Sequence, residues 1–101
     1  MIRATSIHEH GLCTARCRHS LAARDEIAIA MRWLHERCVP TTSMWIGSYA
    51  LKHICEDEVR TYVTNGAMIW AAWSSDVRVA PIDPNNPNAR IYVRVLRRRA
   101  S

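Results

Sequence analysis

Residues 64–79 read Thr64-Asn65-Gly66-Ala67-Met68-Ile69-Trp70-Ala71-Ala72-Trp73-Ser74-Ser75-Asp76-Val77-Arg78-Val79, and the hydropathy pattern changes character inside them. From Ala67 to Trp73 the segment is apolar all round, so as a helix it must be buried on nearly every side, with Thr64 or Asn65 as its cap. Past Ser74-Ser75-Asp76 the period becomes two. Val77, Val79 and Pro81 alternate with Arg78, Ala80 and Ile82, and Ile91, Val93 and Val95 alternate with Tyr92, Arg94 and Leu96. That alternation predicts two strands. The intervening Asp83-Pro84-Asn85-Asn86-Pro87-Asn88 is dense in turn formers, which makes the pair a hairpin.

Working back toward the N-terminus, Ile27, Ala30, Met31, Leu34 and Cys38 recur every three or four residues. With Asp25 and Glu26 at the positive pole, this predicts a helix from Leu21 or Arg24 to Cys38, ended by Pro40. Thr42 or Ser43 then caps a second helix reaching about Glu56, whose apolar positions are Trp45, Ile46, Tyr49, Ala50, Ile54 and Cys55. Residues 56–63 fit either a short strand or a last helical turn. Residues 1–19 lack periodicity and read as an irregular basic arm ahead of a domain spanning 20–101.

A chain of 101 residues, 49% of them apolar, makes one core and excludes two domains. No apolar run approaches the ~18 residues of a membrane span, and Met1 to Ser6 lacks a signal-peptide core. A soluble, cytoplasmic protein is expected. The net charge of +5 is unevenly spread. Residues 1–24 carry four arginines against Glu9, a net of +3. Residues 25–76 carry four basic against seven acidic groups, a net of −3, and residues 77–101 carry six arginines against Asp83, a net of +5. A polyanion would therefore have to be met by the terminal segments, because the acidic middle repels it within about a Debye length of 8–10 Å.

Helix, helix, ambiguous segment, helix and hairpin is an order that resembles the winged helix, an α+β fold of three helices followed by a β-hairpin. Ser48-Tyr49-Ala50-Leu51-Lys52-His53, with Tyr62-Val63-Thr64-Asn65-Gly66-Ala67-Met68-Ile69-Trp70-Ala71-Ala72, is similar to a pattern in small proteins of phages and other mobile elements. That resemblance implies a setting in phage regulation or counter-defence. In a winged helix the third helix presents polar or basic side chains to base edges. Here it offers Thr64, Asn65, Ser74 and Ser75 and no basic residue. The expected nucleic-acid contacts are instead Arg78 and Arg90 on the hairpin together with Arg94, Arg97, Arg98 and Arg99, which read phosphate and shape.

A protein partner is the competing expectation, in the form of an inhibitor of a host defence complex, anti-CRISPR-like in action. Glu56, Asp57 and Glu58 would offer it carboxylates to arginines that normally hold phosphate. Trp33, Trp45, Trp70 and Trp73 suit a small core, but aromatic residues also anchor interfaces, and a homodimer through the third helix is a candidate. His8, His10, Cys13, Cys17 and His19 could supply four zinc ligands, although their spacing matches no common zinc module; otherwise no cofactor is expected. Cys38 and Cys55 sit on apolar helical faces as small hydrophobes. Catalysis has little footing: His53 with Ser48 or Asp57 lies along one helix and builds no triad around a pocket, and three glycines make no phosphate loop. The sequence thus predicts a non-enzymatic domain that grips a nucleic acid or nucleoprotein surface.

Overall fold

The negative charges of Asp25 and Glu26 lie in the first turn of helix α1, Arg24–Arg37, and His35 and Arg37 lie in its last, as the helix dipole favours. A computed structural model describes residues 7–8, 11–12 and 24–97. Helix α1 buries Ala30, Trp33 and Leu34, and Ile27, Ile29 and Met31 pack against the same core. The chain then enters strand β3, Cys38–Pro40, and, after a four-residue excursion beyond Thr41, strand β4, Ile46–Gly47. Helix α2, Ser48–Val59, follows at once, and helix α3, Asn65–Ser74, after a short loop. Strands β5, Val79–Pro81, β6, Ala89–Ile91, and β7, Val93–Val95, complete the domain. A small ribbon near the N-terminus pairs β1, Ile7–His8, with β2, Gly11–Leu12. The domain is α+β, with three helices and antiparallel strands among the described residues.

The chain from 89 to 95 is the hub of the strands. Residue Ile91 pairs with Ile46 on one side and Val79 on the other, while Val95 and Val93 pair with Cys38 and Pro40. The β3–β7 pair and the β4–β6–β5 sheet meet at Tyr92, where Thr41 N donates to Tyr92 O (2.9 Å) and Tyr92 N to Arg78 O (3.0 Å). Alternation then sorts the side chains of residues 89–95. Ala89, Ile91 and Val93 face the core with at most 1% exposure, and Arg90, Tyr92 and Arg94 take the opposite face. The hairpin loop is held by the side-chain oxygens of Asp83 and Asn86, which accept from Asn85 N and Asn88 N (both 2.9 Å).

Helix α3 is the centre of the core. Gly66, Ala67, Met68, Ile69, Ala71 and Ala72 are buried, α1 and α2 pack along it, and the β1–β2 ribbon lies against it. Thr64 caps it, its hydroxyl accepting from Ala67 N at 3.2 Å. Full burial is what the unbroken apolar run predicts, with Trp70, partly buried, and Trp73, 41% exposed, as the departures.

Two expectations require correction. The second helix begins at Ser48, not at Thr42 or Ser43, and its N-cap Gly47 contributes no side-chain bond. The Thr41 hydroxyl donates to Met44 O (2.6 Å), closing a turn where a helix start was expected, and Ile46 is drawn into the sheet by Ile91. The first helix stops at Arg37, because Cys38 pairs with Val95. The ambiguous segment 56–63 resolves as the last turn of α2, ending on Arg60 in the left-handed conformation (φ 58°), then a loop. The irregular arm expected over residues 1–19 falls largely outside the described residues, within which only the β1–β2 pairing is seen.

Candidate nucleic-acid interface

Strand register builds a basic surface on the face of the sheet turned away from the core. Arg90 stands opposite Gly47 and Ala80. One row along, Tyr92 is bonded through its backbone to Thr41 and Arg78. One row further, Arg94 stands opposite Val39. Two of the arginines rest on rings. The Arg78 guanidinium carbon lies 4.5 Å from the centroid of Tyr92, and that of Arg90 lies 5.2 Å from the Trp45 ring, distances at which a cation is attracted to the π face. The turn closed by Thr41 and Met44 delivers Trp45 to this position.

The electrostatic state of this face follows from what is missing around it. Among the described residues the ion pairs are Arg32–Glu36, Arg37–Glu58, Lys52–Glu56 and His53–Glu56, and none includes Arg78, Arg90 or Arg94. The Nε of Arg90 is buried without a hydrogen-bond partner, so the Trp45 ring is what orients this guanidinium. Trp45 remains 44% exposed and Met44 beside it 50%.

The other residues singled out in the sequence lie elsewhere. Arg97 is exposed at the rim of a groove formed with Trp33, Glu36, Arg37, Glu58, Val59 and Leu96, away from the arginine rows. Arg98 and Arg99 lie outside the described residues, as do His10, Cys13, Cys17 and His19; His8 is described only as part of the β1 backbone. No group of three or more His, Cys, Asp or Glu suited to a metal occurs among the described residues.

The acidic triplet turns out to be mostly internal. Glu58 accepts from Trp33 Nε1 (3.0 Å) and Arg37 Nε (2.8 Å), tying α2 to α1. Glu56 accepts from Val63 N (3.0 Å) and Lys52 Nζ (3.0 Å), with His53 Nδ1 at 3.3 Å. Burial works against the Glu56 carboxylate, but the Val63 amide, Lys52 and His53 together outweigh it and hold the group below its ordinary value. Only Asp57 of the three is exposed. His53 and Ser48, imagined as parts of a triad, are likewise spent on structure: Ser48 Oγ is buried and accepts from Ala89 N at 2.9 Å.

Tyr92 is the site residue that sequence reasoning missed, and Trp45, named only among the four tryptophans that could anchor an interface, was not placed beside Arg90. The signal was present only in part, since Tyr92 shares the Arg90–Arg94 alternation, whereas Trp45 reaches Arg90 through a strand pairing that no local pattern announces. No protein-family model matches the chain, and no curated protein or solved structure matches it significantly. No helix among the described residues is long and apolar enough to cross a membrane.

Proposed function

We propose that this chain is a non-enzymatic nucleic-acid-binding domain, winged-helix-like in plan, that docks on the phosphate backbone through Arg78, Arg90 and Arg94. The observation that carries this reading is a group of three arginines on adjoining strands, none paired with a carboxylate among the described residues and two of them held on aromatic rings. A guanidinium paired with a carboxylate is already neutralised; these three remain available for bidentate contact with phosphate. Support for the winged-helix-like plan comes from the strand that precedes α2 and pairs with the second hairpin strand. The departure lies in α3, which is buried, covered by the β1–β2 ribbon and devoid of basic residues, so the hairpin sheet takes over the contact. Arg97, Arg98 and Arg99 would add a second set of phosphate contacts, and a role in phage regulation or counter-defence is the setting proposed for the domain. The inhibitor reading draws less support from its acidic triplet, because Glu56 and Glu58 bond within the fold and Asp57 alone is exposed.

The test is retention of labelled single-stranded and duplex DNA at two salt concentrations. Each phosphate contact contributes about −0.9 to the slope of log K against log salt on duplex, and about −0.7 on a single strand. Replacing Arg78, Arg90 and Arg94 by Ala should reduce that slope by about 2–3 and weaken binding at low salt. Absence of retention of either probe at low salt would overturn the reading.

A further inference from the structure

The sheet face carries a second kind of chemistry that phosphate binding does not use. Trp45 is held at its edge by the Thr41–Met44 turn, touched by Arg90 and still 44% exposed, in a position where burying the ring in the core would have been the ordinary outcome. The neighbouring row differs: Tyr92 is only 8% exposed beneath Arg78, so its ring is already occupied. The face therefore offers an accessible indole beside Arg90, with Arg78 and Arg94 on the neighbouring rows and none of the three paired with a carboxylate among the described residues. Phosphates with stacked, paired bases, as in a duplex, would engage the arginines and leave the ring in water. An unpaired strand would engage both, its phosphates on Arg78, Arg90 and Arg94 and a base on Trp45. Duplex recognition through the major groove also lacks its usual tool, since α3 is covered by the β1–β2 ribbon and carries no basic side chain.

Resting on the nucleic-acid reading above, we infer that the occupant of this face is an unpaired polynucleotide strand, one of whose bases stacks on Trp45. Arginines and an indole address phosphate and base, not sugar, so DNA and RNA strands of one sequence serve alike. The experiment is fluorescence anisotropy with labelled oligo(dT) and oligo(U) of about 12 nucleotides and a duplex of the same length in base pairs, a length within the range such sites cover. The wild-type protein should bind both single strands more tightly than the duplex. Trp45→Ala should weaken single-strand binding roughly fivefold to a hundredfold and duplex binding by a clearly smaller factor, the latter through loss of the ring that orients Arg90, while Trp45→Tyr restores most of the loss; an equal loss on both probes would overturn the inference. Thermal melting of both variants checks that they are folded. Equal or tighter duplex binding, or single-strand binding indifferent to Trp45→Ala in folded protein, would overturn this inference while leaving phosphate docking intact. Failure of every probe at low salt would overturn both.

Discussion

Individual side chains in this protein differ sharply in what they are free to do. Glu56 is committed three ways, to the Val63 amide, Lys52 and His53, and it keeps Lys52, whose side chain is only 9% exposed, from being a buried lone charge. Glu56→Gln should cost about 2 kcal/mol in urea unfolding at neutral pH, in the range of hydrogen bonds to charged groups. The sign of its pH dependence is fixed by the lowered carboxyl value. The contribution is complete above the ordinary 4.5 and is lost as pH falls from there through the folded-state value, so the gap between wild type and variant should close in acid. A gap unchanged down to acid pH would show that the charge is not what stabilises this corner. Cys38 and Cys55 make the opposite case. Burial first, with nearby negative charge, pushes both thiols up to about 12. Peptide mapping after iodoacetamide treatment at pH 8 should find both unmodified in native protein and alkylated in urea; labelling of either without denaturant would contradict their placement.

Helices and strands show which patterns a sequence reveals and which it conceals. Helices α1 and α3 were legible because each repeats its own period over enough residues, and the turn-rich loop 83–88 was legible by composition. The second hairpin strand was expected from Ile91 to Leu96, but β6 spans Ala89–Ile91 and residues 93–95 pair with β3 instead of β5. Strands β3 and β4, three and two residues long, were not, since neither carries a pattern of its own and each exists because residues 89–95 pair with it. The same cause explains the late start of α2: Thr42 and Ser43 have cap chemistry, but the competing turn at Thr41 and the pull of Ile91 on Ile46 prevail. At the other end of α2, Arg60 occupies a left-handed position normally given to glycine. Arg60→Gly should raise stability by about 0.5–1 kcal/mol, visible as a higher urea midpoint, and a lower midpoint would mean the arginine side chain contributes more than its backbone strain costs. Within α3, Met68 is fully buried, so Met68→Ala should destabilise by about 2–5 kcal/mol in the same assay. A loss under about 1 kcal/mol would contradict its central place in the core.

For the molecule as a whole, segment charge had already separated a basic C-terminal region from an acidic middle, and the arginines named from it include the three that the sheet gathers. What charge counting could not supply was company: which arginine meets a ring, which carboxylates turn inward, and which of two surfaces Arg97 joins, all of which depend on strand register. The sheet also has a temporal consequence. Each strand contributed by residues 38–47 and 79–81 waits for residues 89–95, and the Arg37–Leu96 contact spans 59 positions. Closing such distant pairs is slow relative to helix formation. The three helices can therefore form before their common greasy side is roofed, and that side stays open to water until the seven residues 89–95 dock.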